Sequence, residues 1–429
     1  MKTKKTIAYF FVYFPFYPFT FICNEILSLI HNGFQVEIFV LHKGERRELH
    51  KDFQILWDKI SVIKSGSKLS QLFCYYYFRV FYPHRMRYLK NIFSPPAEQH
   101  KIYLFKDPYL LSAFKAAWYL KKRNDIGYLH SHFTGRPSTL LYILSQLLKI
   151  PRGFTSHADS FANHKYKLLC EQVKDSEIVF ASTHTAKINI LKKCGSIDEE
   201  KIIVKPGGVN LDKFQFQHHI KTRTKLISIC RFDPKKGMIY LAKACDLLIQ
   251  KGLEIQCILV GDAPGTDGGK ASYEEVVQYI HDNGLTSHFT LTGALTQEEY
   301  IRYMNECAII VAPYIVTESG ERDGVPTILI EAMAMGIVPV ATDAGAITEL
   351  VEHNINGLIV PQKDHASLAN QIERLIKDYE LFERLRNNAR NTIELSRDIR
   401  LTEQIFVNKI EGFIGSPIRC DPKTMNPLK

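Results

Sequence analysis

The sequence has few of the features that mark disulfide-rich proteins, zinc sites and membrane spans. Its nine cysteines are scattered, odd in number and without a C-x-x-C pair, so we expect buried thiols in a reducing compartment rather than disulfides or a zinc site. No run of 18 uninterrupted apolar residues occurs, and we therefore expect no transmembrane helix. Internal repeats and low-complexity segments are absent as well. A chain with 45% hydrophobic and 23% charged residues is typical of a folded protein.

The amino-terminal segment is similar to a secretory signal in one respect, its apolar run IAYFFVYFPFYPFTFIC after three lysines. Pro15 and Pro18 interrupt this run, and no small-residue cleavage site follows it. The chain then continues into a helix-like pattern and a second strand-like pattern. We predict that residues 6–14 form the first strand of a βαβ unit.

Strand-like and helix-like patterns alternate along the chain. Such alternation is typical of parallel sheets whose strands are joined by crossover helices, and 429 residues exceed a single ordinary core. We predict two α/β domains, the first in residues 1–205 and the second in residues 225–400. Residues 206–224 show neither the helical nor the strand periodicity of apolar residues and are predicted to be a linker. Residues 415–429 are predicted to be a frayed tail.

Residues 322–336, RDGVPTILIEAMAMG, place two carboxylates eight residues apart. Asp323 lies in a glycine-bearing loop. Pro326 follows at the predicted first helical position, and Glu331 lies within that helix. Loops that enter a helix at the carboxyl end of a parallel strand bind ligands in open α/β sheets. The alternative interpretation is an acid near a helix start and a solvent-facing Glu.

Two cations follow the strand-like run KLISICRF. Arg231 lies at its end and Lys236 comes five residues later, in PKKG. An Arg side chain binds two phosphate oxygens at once, and a Lys adds a mobile point charge. Since no D-x-D motif follows a predicted strand, we expect this pair to neutralise a diphosphate in place of a divalent metal. Ordinary surface charges are the alternative.

Positive charge is concentrated in the first half of the chain. Residues 1–205 carry 31 Lys and Arg against 16 Asp and Glu, whereas residues 206–429 carry 24 against 29. The densest part, residues 71–93, interleaves aromatic residues with four cations: Arg79, Arg85, Arg87 and Lys90. Such a stretch can bind an anionic membrane surface, or it can be helical core with a solvated edge. Nucleic acid is disfavoured as a partner, because no recognition-helix, OB or RRM signature is present.

Further motifs occur in the order FP…TFI, HSHF, TSHAD, KPGGVN, RFDPKKG, LVGDAPG, TLTGAL and ATDAGAITELV. With the Asp323–Glu331 pair, they resemble the family-4 retaining glycosyltransferases, whose E-x7-E motif begins with Glu where this chain has Asp. The flank DGVPTILIEAMA is similar to the exopolysaccharide and colanic-acid branch. The resemblance implies the GT-B fold, an α/β architecture of two Rossmann-like domains with parallel sheets facing across a cleft. It also implies that a helix at 401–414 crosses back to the first domain.

The resemblance implies roles for residues of the second domain. The first carboxylate of the family motif contacts hexose hydroxyls and the second contacts the ribose diol, and these positions correspond to Asp323 and Glu331. Arg231 and Lys236 match the family's phosphate-binding pair. The remaining donor-binding candidates are two glycines that allow close approach of the backbone, Gly320 and Gly324.

The first domain contributes His157, which matches the family's His beside the reacting anomeric carbon. We expect Asp159 to orient it. His130 and His132, in LHSHF, are expected to point to opposite faces of a strand, with His132 beside the acceptor, and not to form a metal pair. No metal and no other cofactor are expected.

Together these features predict a retaining hexosyltransferase that uses a nucleotide-diphosphate sugar and a saccharide acceptor, lipid-linked, in surface polysaccharide biosynthesis. With no carboxylate nucleophile evident, we expect front-side displacement. A sugar-nucleotide epimerase or phosphorylase of the same fold, or a catalytically weak sugar-binding relative, is the alternative. A nicotinamide oxidoreductase is disfavoured because no G-x-G-x-x-G fingerprint occurs. We expect a cytoplasmic protein, peripheral on the inner face of the cell membrane.

Overall fold

The structure is a computed structural model and describes residues 5–15, 19–46, 51–63, 66–93, 108–157, 168–218, 222–263 and 265–414. The chain divides into two units, one made of Met1–Lys205 with Glu403–Lys429 and the other of Pro206–Thr402. Among the described residues, no helix has the length and apolar character needed to cross a membrane.

The first unit is built on a seven-stranded parallel sheet. Its strands are β1 (Thr6–Phe14), β2 (Val36–Lys43), β3 (Ile60–Val62), β4 (Ile126–His132), β5 (Arg152–Ser156), β6 (Ile178–Ala181) and β7 (Ile202–Val204). Their order across the sheet is β3-β2-β1-β4-β5-β6-β7. The helices of this part are α1 (Thr20–His31), α2 (Lys68–Phe81), α3 (Pro83–Phe93), α4 (Pro108–Leu120), α5 (Arg136–Leu148), α6 (Leu169–Asp175) and α7 (His184–Cys194).

Strand β1 explains why the amino terminus is so apolar. Ile7, Tyr9 and Phe11 pack into the core on one face of the sheet, whereas Ala8 and Phe10 pack into the core on the other. A parallel strand that is buried on both faces is a nearly continuous apolar run. The prediction of a strand at 6–14 is confirmed.

The second unit is built on a six-stranded parallel sheet. Its strands are β8 (Lys225–Ile229), β9 (Gln256–Val260), β10 (Phe289–Gly293), β11 (Ile309–Ala312), β12 (Val338–Thr342) and β13 (Leu358–Val360). Their order is β10-β9-β8-β11-β12-β13. The helices are α8 (Met238–Gln250), α9 (Asp267–Asp282), α10 (Gln297–Met304), α11 (Thr327–Ala334), α12 (His365–Lys377) and α13 (Tyr379–Ser396). A last helix, α14 (Ile399–Ile414), begins in this unit and belongs to the first unit from Glu403 onward.

Each sheet reverses its strand order once, and this reversal determines where a ligand can bind. The reversal lies between β1 and β4 in the first sheet and between β8 and β11 in the second. Ligands of doubly wound α/β sheets bind outside the carboxyl ends of the strands at that point. The two α/β units with parallel sheets confirm the predicted fold class.

The predicted linker at 206–224 packs, over its described residues, into the second unit. Val209, Leu211 and Phe214 are buried in that unit's core, so this segment is not a free connection. The chain leaves the second unit near Thr402, and the remainder of α14 packs on the first unit, with Phe406 and Ile410 in its core.

The expectation that the cysteines would all be free thiols was wrong. Cys170 in α6 and Cys194 in α7 form a disulfide with an S–S distance of 2.06 Å. Sequence spacing did not reveal this pair, because 24 residues separate the two cysteines and the packing of two helices brings them together. The expectation of a reducing compartment rested partly on the absence of disulfides, and this disulfide removes that part of its basis.

Helices α2 and α3 divide the aromatic and basic stretch 71–93 between two environments. The inward face is core, with Cys74 and Phe78 of α2 and Leu89 of α3 fully buried. Arg85 also points inward, donating to the carbonyl of Leu147. The outward face of α2 is a different surface, apolar and exposed, with the residues Leu69, Phe73, Tyr76 and Val80.

Candidate functional site

The loop after β8 folds into a tight cationic turn. Asp233 caps a 3-10 turn at Pro234–Lys236 by accepting from the backbone N–H of Lys235. Gly237 ends the turn with φ of 60°, and a Cβ at this position would lie 2.1 Å from the Pro313 carbonyl oxygen. Only glycine fits there. The sequence DPKKG therefore places both lysines of the turn beside the segment that follows β11.

Asp323 binds both lysines of that turn. The Lys235 ammonium lies 2.8 Å from Oδ1, and the Lys236 ammonium contacts Oδ2 and also lies 4.0 Å from the centre of the Tyr314 ring. Burial opposes ionisation of Asp323, but Lys236 and Lys235 together hold its pKa below the ordinary value. Arg231 is exposed at the carboxyl end of β8. The strand-order reversal therefore carries three cations against two carboxylates, Asp233 and Asp323, an excess of positive charge that suits a diphosphate.

A glycine of the next strand connection fixes the backbone of Asp323. Gly345 in TDAGA has φ of 65°, and a Cβ there would lie 2.1 Å from the Asp323 carbonyl oxygen. Gly320 also has a positive φ, 80°, with open space around it. Gly324 lies in the bend before α11. The loop that carries Asp323 is thus shaped by glycines at both ends.

Glu331 is buried in α11, which excludes the solvent-facing interpretation. It is 5% exposed, and it accepts a hydrogen bond from the Tyr300 hydroxyl at 3.0 Å and one from the Gln297 amide at 3.5 Å. Burial raises the pKa of Glu331 to about 7 against the effect of the Tyr300 hydrogen bond. Pro326 is the residue before the first helical residue, one position earlier than expected.

Three histidines of the first unit, His130, His132 and His157, lie together near the carboxyl ends of β4 and β5. His132 Nδ1 lies 2.7 Å from His157 Nε2. The expectation that His130 and His132 point to opposite faces was wrong, since their ring centres are 5.2 Å apart. Residues two apart in a strand share a face, so this error could have been avoided from the sequence.

A buried ionic network lies under these histidines. Glu25 of α1 accepts from the Tyr9 hydroxyl at 2.6 Å and lies 3.1 Å from His132 Nε2. Its other oxygen accepts from the Lys205 ammonium at 2.9 Å, and Lys205 also donates to Glu403 of α14 at 3.0 Å. Glu25, Lys205 and Glu403 are each less than a tenth exposed.

Residues 210–392 match the family described as Glycosyl transferases group 1. This region is a group 1 glycosyltransferase domain. The chain is 27% identical over 386 residues to "Amylovoran biosynthesis glycosyltransferase AmsK" of Erwinia amylovora, a match that spans 86% of this chain and 90% of that protein. It is 25% identical over 388 residues to "Putative colanic acid biosynthesis glycosyltransferase WcaL" of Escherichia coli K12, spanning 85% and 89%.

The fold of the glycosyltransferase is similar to solved structures over nearly its whole length. Anabaena HepE in complex with UDP superposes with a TM-score of 0.73 and 16% identity, covering 95% of this chain and 100% of that one. Such neighbours confirm the GT-B fold.

Sequence reasoning missed three members of the buried network, Glu25, Lys205 and Glu403. Two of these residues, Glu25 and Glu403, could have been recognised from their positions in the sequence. Glu25 lies on the same helical stripe as Ile22 and Leu29, and Glu403 on that of Phe406 and Ile410, so each is a carboxylate at a core-facing position. A charge at such a position is almost never fully buried unless it is paired.

Not every predicted site residue of the glycosyltransferase can be placed. Asp159 lies outside the described residues. Oxygen and nitrogen atoms of Glu25, His130 and His132 approach within 4.8 Å of one another, which is a spacing a metal site could use. Lys205 binds the other oxygen of the same carboxylate, so this cluster contains a cationic side chain.

Proposed function

We propose that this glycosyltransferase transfers a hexose from a nucleotide-diphosphate sugar to a saccharide acceptor in the biosynthesis of a surface polysaccharide. The observation that carries the proposal is the pairing of Lys235 and Lys236 with Asp323 at the strand-order reversal of the second unit. The names of the relatives, amylovoran and colanic acid glycosyltransferases, support a polysaccharide product. The UDP complex of HepE supports a nucleoside diphosphate as leaving group.

The proposed roles follow the chemistry of each side chain. Arg231, Lys235 and Lys236 bind the diphosphate and neutralise its charge as the glycosidic bond breaks, without a divalent metal. Asp323 accepts hydrogen bonds from hexose hydroxyls. Glu331 in its ionised form accepts from the ribose diol.

We propose that transfer retains the anomeric configuration through front-side displacement. A leaving phosphate oxygen takes the proton from the acceptor hydroxyl as that hydroxyl attacks the anomeric carbon. His157, which matches the histidine next to the anomeric carbon in the resembled family, accepts a hydrogen bond from a sugar hydroxyl. Asp323 is too short to reach as far as Glu would, so the hexose that fits best is decided at this residue.

The donor can be identified by thermal shift. We expect one class among UDP-, GDP- and ADP-sugars to raise the melting temperature of the purified protein, because a ligand that binds only the folded state stabilises it by about 2.7 kcal/mol at a hundredfold excess over Kd. The stabilising donor is then supplied with oligosaccharide acceptors, and the product is examined by NMR for the donor's anomeric configuration.

Two results would count against this function. An epimerase would convert the stabilising nucleotide sugar with no acceptor present. A sugar-binding relative would be stabilised by the donor and yet form no product with any acceptor. Where the wild type does form product, unchanged rates in Asp323→Ala and Glu331→Ala would contradict the assignment of these two residues to the site.

We also propose that the first unit binds an anionic membrane surface, where a lipid-linked acceptor would be presented. The outward stripe of α2 supports this, because Leu69, Phe73, Tyr76 and Val80 are between 52% and 79% exposed and recur every three or four residues along one face. Two cations of α2, Lys68 and Arg79, and two of α3, Arg87 and Lys90, are exposed as well. Apolar residues at headgroup level with cations on lipid phosphates are typical of interfacial helices.

Vesicle co-sedimentation tests this surface. We expect the protein to bind phosphatidylglycerol-containing vesicles. Binding should fall at least about thirtyfold in the double variant Phe73→Ser with Val80→Ser, since each large apolar side chain contributes on the order of 1 kcal/mol or more when it leaves water. Leu395→Ser is the matched control, because Leu395 is 81% exposed on α13 of the second unit. Equal binding to neutral vesicles, or equal loss in the control, would contradict the assignment.

A further inference from the structure

His157 is the end of a hydrogen-bonded chain that begins at a buried carboxylate. Glu25 Oε1 lies 3.1 Å from His132 Nε2, and His132 Nδ1 lies 2.7 Å from His157 Nε2. The two imidazoles are nearly coplanar, at 16°. His132 is thus contacted at both ring nitrogens, and its tautomer is determined by its two partners.

The direction of the proton in each bond follows from Glu25. Burial would raise the pKa of Glu25, but the charge of Lys205 and the hydrogen bond from His132 hold it well below its ordinary value. An ionised carboxylate only accepts hydrogen bonds, so His132 carries a proton on Nε2 and donates it to Glu25. With both rings neutral, His132 Nδ1 has a lone pair and accepts from the Nε2–H of His157. The remaining nitrogen of His157, Nδ1, is then an acceptor.

The neutral form of His157 is favoured by its surroundings. Burial lowers the pKa of His157 well below its usual value. The rings of Phe21 and Phe133 pack against it with centroid distances of 4.6 and 5.1 Å. A neutral imidazole with a fixed tautomer presents one defined lone pair, which suits acceptance of a hydrogen bond from a sugar hydroxyl.

We infer that Glu25 is a positioning residue, which acts through His132 to fix the ring orientation and tautomer of His157 with Nδ1 as the hydrogen-bond acceptor. The inference rests on the proposed function, because it takes His157 as the residue beside the reacting sugar. Neither Glu25 nor Lys205 touches the substrate in this scheme.

Lys205 has a separate task in the network. Burial lowers the pKa of Lys205, but Glu25 and then Glu403 outweigh burial and raise it. The ammonium group therefore stays charged and keeps Glu25 ionised. Glu403 reaches the histidines, within the described part of the chain, only through Lys205, which makes it a matched control. Both carboxylates are buried and both bind the same ammonium, but only Glu25 contacts His132.

The test compares Glu25→Gln with Glu403→Gln in the full-length protein. With the donor found by thermal shift, we expect Glu25→Gln to lower kcat about 100-fold, the effect of a misplacement of about 1 Å in a catalytic group, with a smaller change in donor KM. Glu403→Gln should keep kcat within a few-fold. Nitrogen-15 NMR of histidine-labelled protein gives a readout independent of activity. The His157 signals, assigned from their loss in His157→Gln, should show protonated Nε2 and unprotonated Nδ1 in wild type and in Glu403→Gln, and a mixture of tautomers in Glu25→Gln.

His132→Phe is the second variant, and it retains a flat ring that packs beside Tyr9 and Phe11. It should lose activity like Glu25→Gln, and the double variant should lose little more, because residues that act as one unit are not additive. Unchanged tautomers in Glu25→Gln, or equal losses of kcat in Glu25→Gln and Glu403→Gln, would overturn the inference. A wild-type protein that transfers no sugar but has the expected tautomers would instead refute the proposed function alone.

Discussion

Replacement of Lys236 by alanine is expected to lower the kcat of sugar transfer by about 100- to 1,000-fold, the usual effect of removing one donor to a developing anionic charge. Lys236 lies in the turn fixed by Gly237, with its ammonium between Asp323 and the face of Tyr314. In the proposed function this ammonium, together with Lys235 and Arg231, neutralises the diphosphate as it leaves. Steady-state transfer rates with saturating donor measure the effect.

The control for Lys236→Ala is Lys251→Ala. Lys251 also forms an ion pair, with Glu373 at 2.6 Å, but its side chain is 44% exposed whereas that of Lys236 is 13% exposed. Surface pairs contribute about 0–1 kcal/mol to stability, so Lys251→Ala should transfer sugar at the wild-type rate. The same assay in EDTA tests the proposed independence from metal. A rate that collapses in EDTA, or a Lys236→Ala rate equal to wild type, would show that another group neutralises the diphosphate.

Glu331→Gln is expected to weaken donor binding and, at the same time, to stabilise the protein above neutral pH. Burial raises the pKa of this carboxyl from its ordinary value of about 4.5 to about 7 in the folded protein, so the folded state binds more protons than the unfolded state between these values. Stability therefore falls as pH rises from about 4.5 to 7, by up to about 3 kcal/mol, and is constant above that. Glutamine removes this penalty while it can still accept from Tyr300.

The measurement is the difference in melting temperature between Glu331→Gln and wild type at pH 5 and at pH 8. The difference should be small at pH 5 and should favour the variant at pH 8. Glu403, whose pKa burial also raises to about 7 despite Lys205, titrates in the same range, but it contributes equally to both proteins. Donor affinity of the wild type should rise from pH 6 to pH 8, because a ribose diol requires the ionised carboxylate, and that of the variant should not. A variant with wild-type affinity at every pH would remove Glu331 from the donor site.

The strands were predictable from the sequence because parallel strands buried on both faces are apolar without interruption. The strand predicted at residues 6–14 forms β1 (Thr6–Phe14), and the strand-like run KLISICRF contains β8 (Lys225–Ile229). The position of the candidate donor site could also be predicted from the sequence, since Lys236 and Asp323 follow the two strands at which the order of the sheet reverses. The sequence identified these residues because each lies in a short local motif: Lys236 in the turn after β8, Asp323 in the loop before α11, and Glu331 in α11 itself.

Contacts between segments that are distant in the sequence could not be predicted in this way. Lys205 and Glu25 are 180 residues apart, and Lys205 and Glu403 are 198 apart, so no local period connects them. Lys235 and Lys236 are adjacent lysines, and the sequence alone does not show that both bind Asp323. Only the geometry of the turn shows it. The Cys170–Cys194 disulfide likewise depends on how α6 and α7 pack.

The chain path through α14 has a consequence for the order of folding during synthesis. The second unit, Pro206–Thr402, is contiguous and can fold as soon as its last residues leave the ribosome. The first unit starts earlier but needs Phe406, Val407 and Ile410 for its core and Glu403 for the second carboxylate on Lys205. Although domains generally fold from the amino terminus during translation, here the part made first is completed last. Until then, the nascent first unit exposes the apolar groove that α14 later fills, which makes it the species on which a chaperone would act.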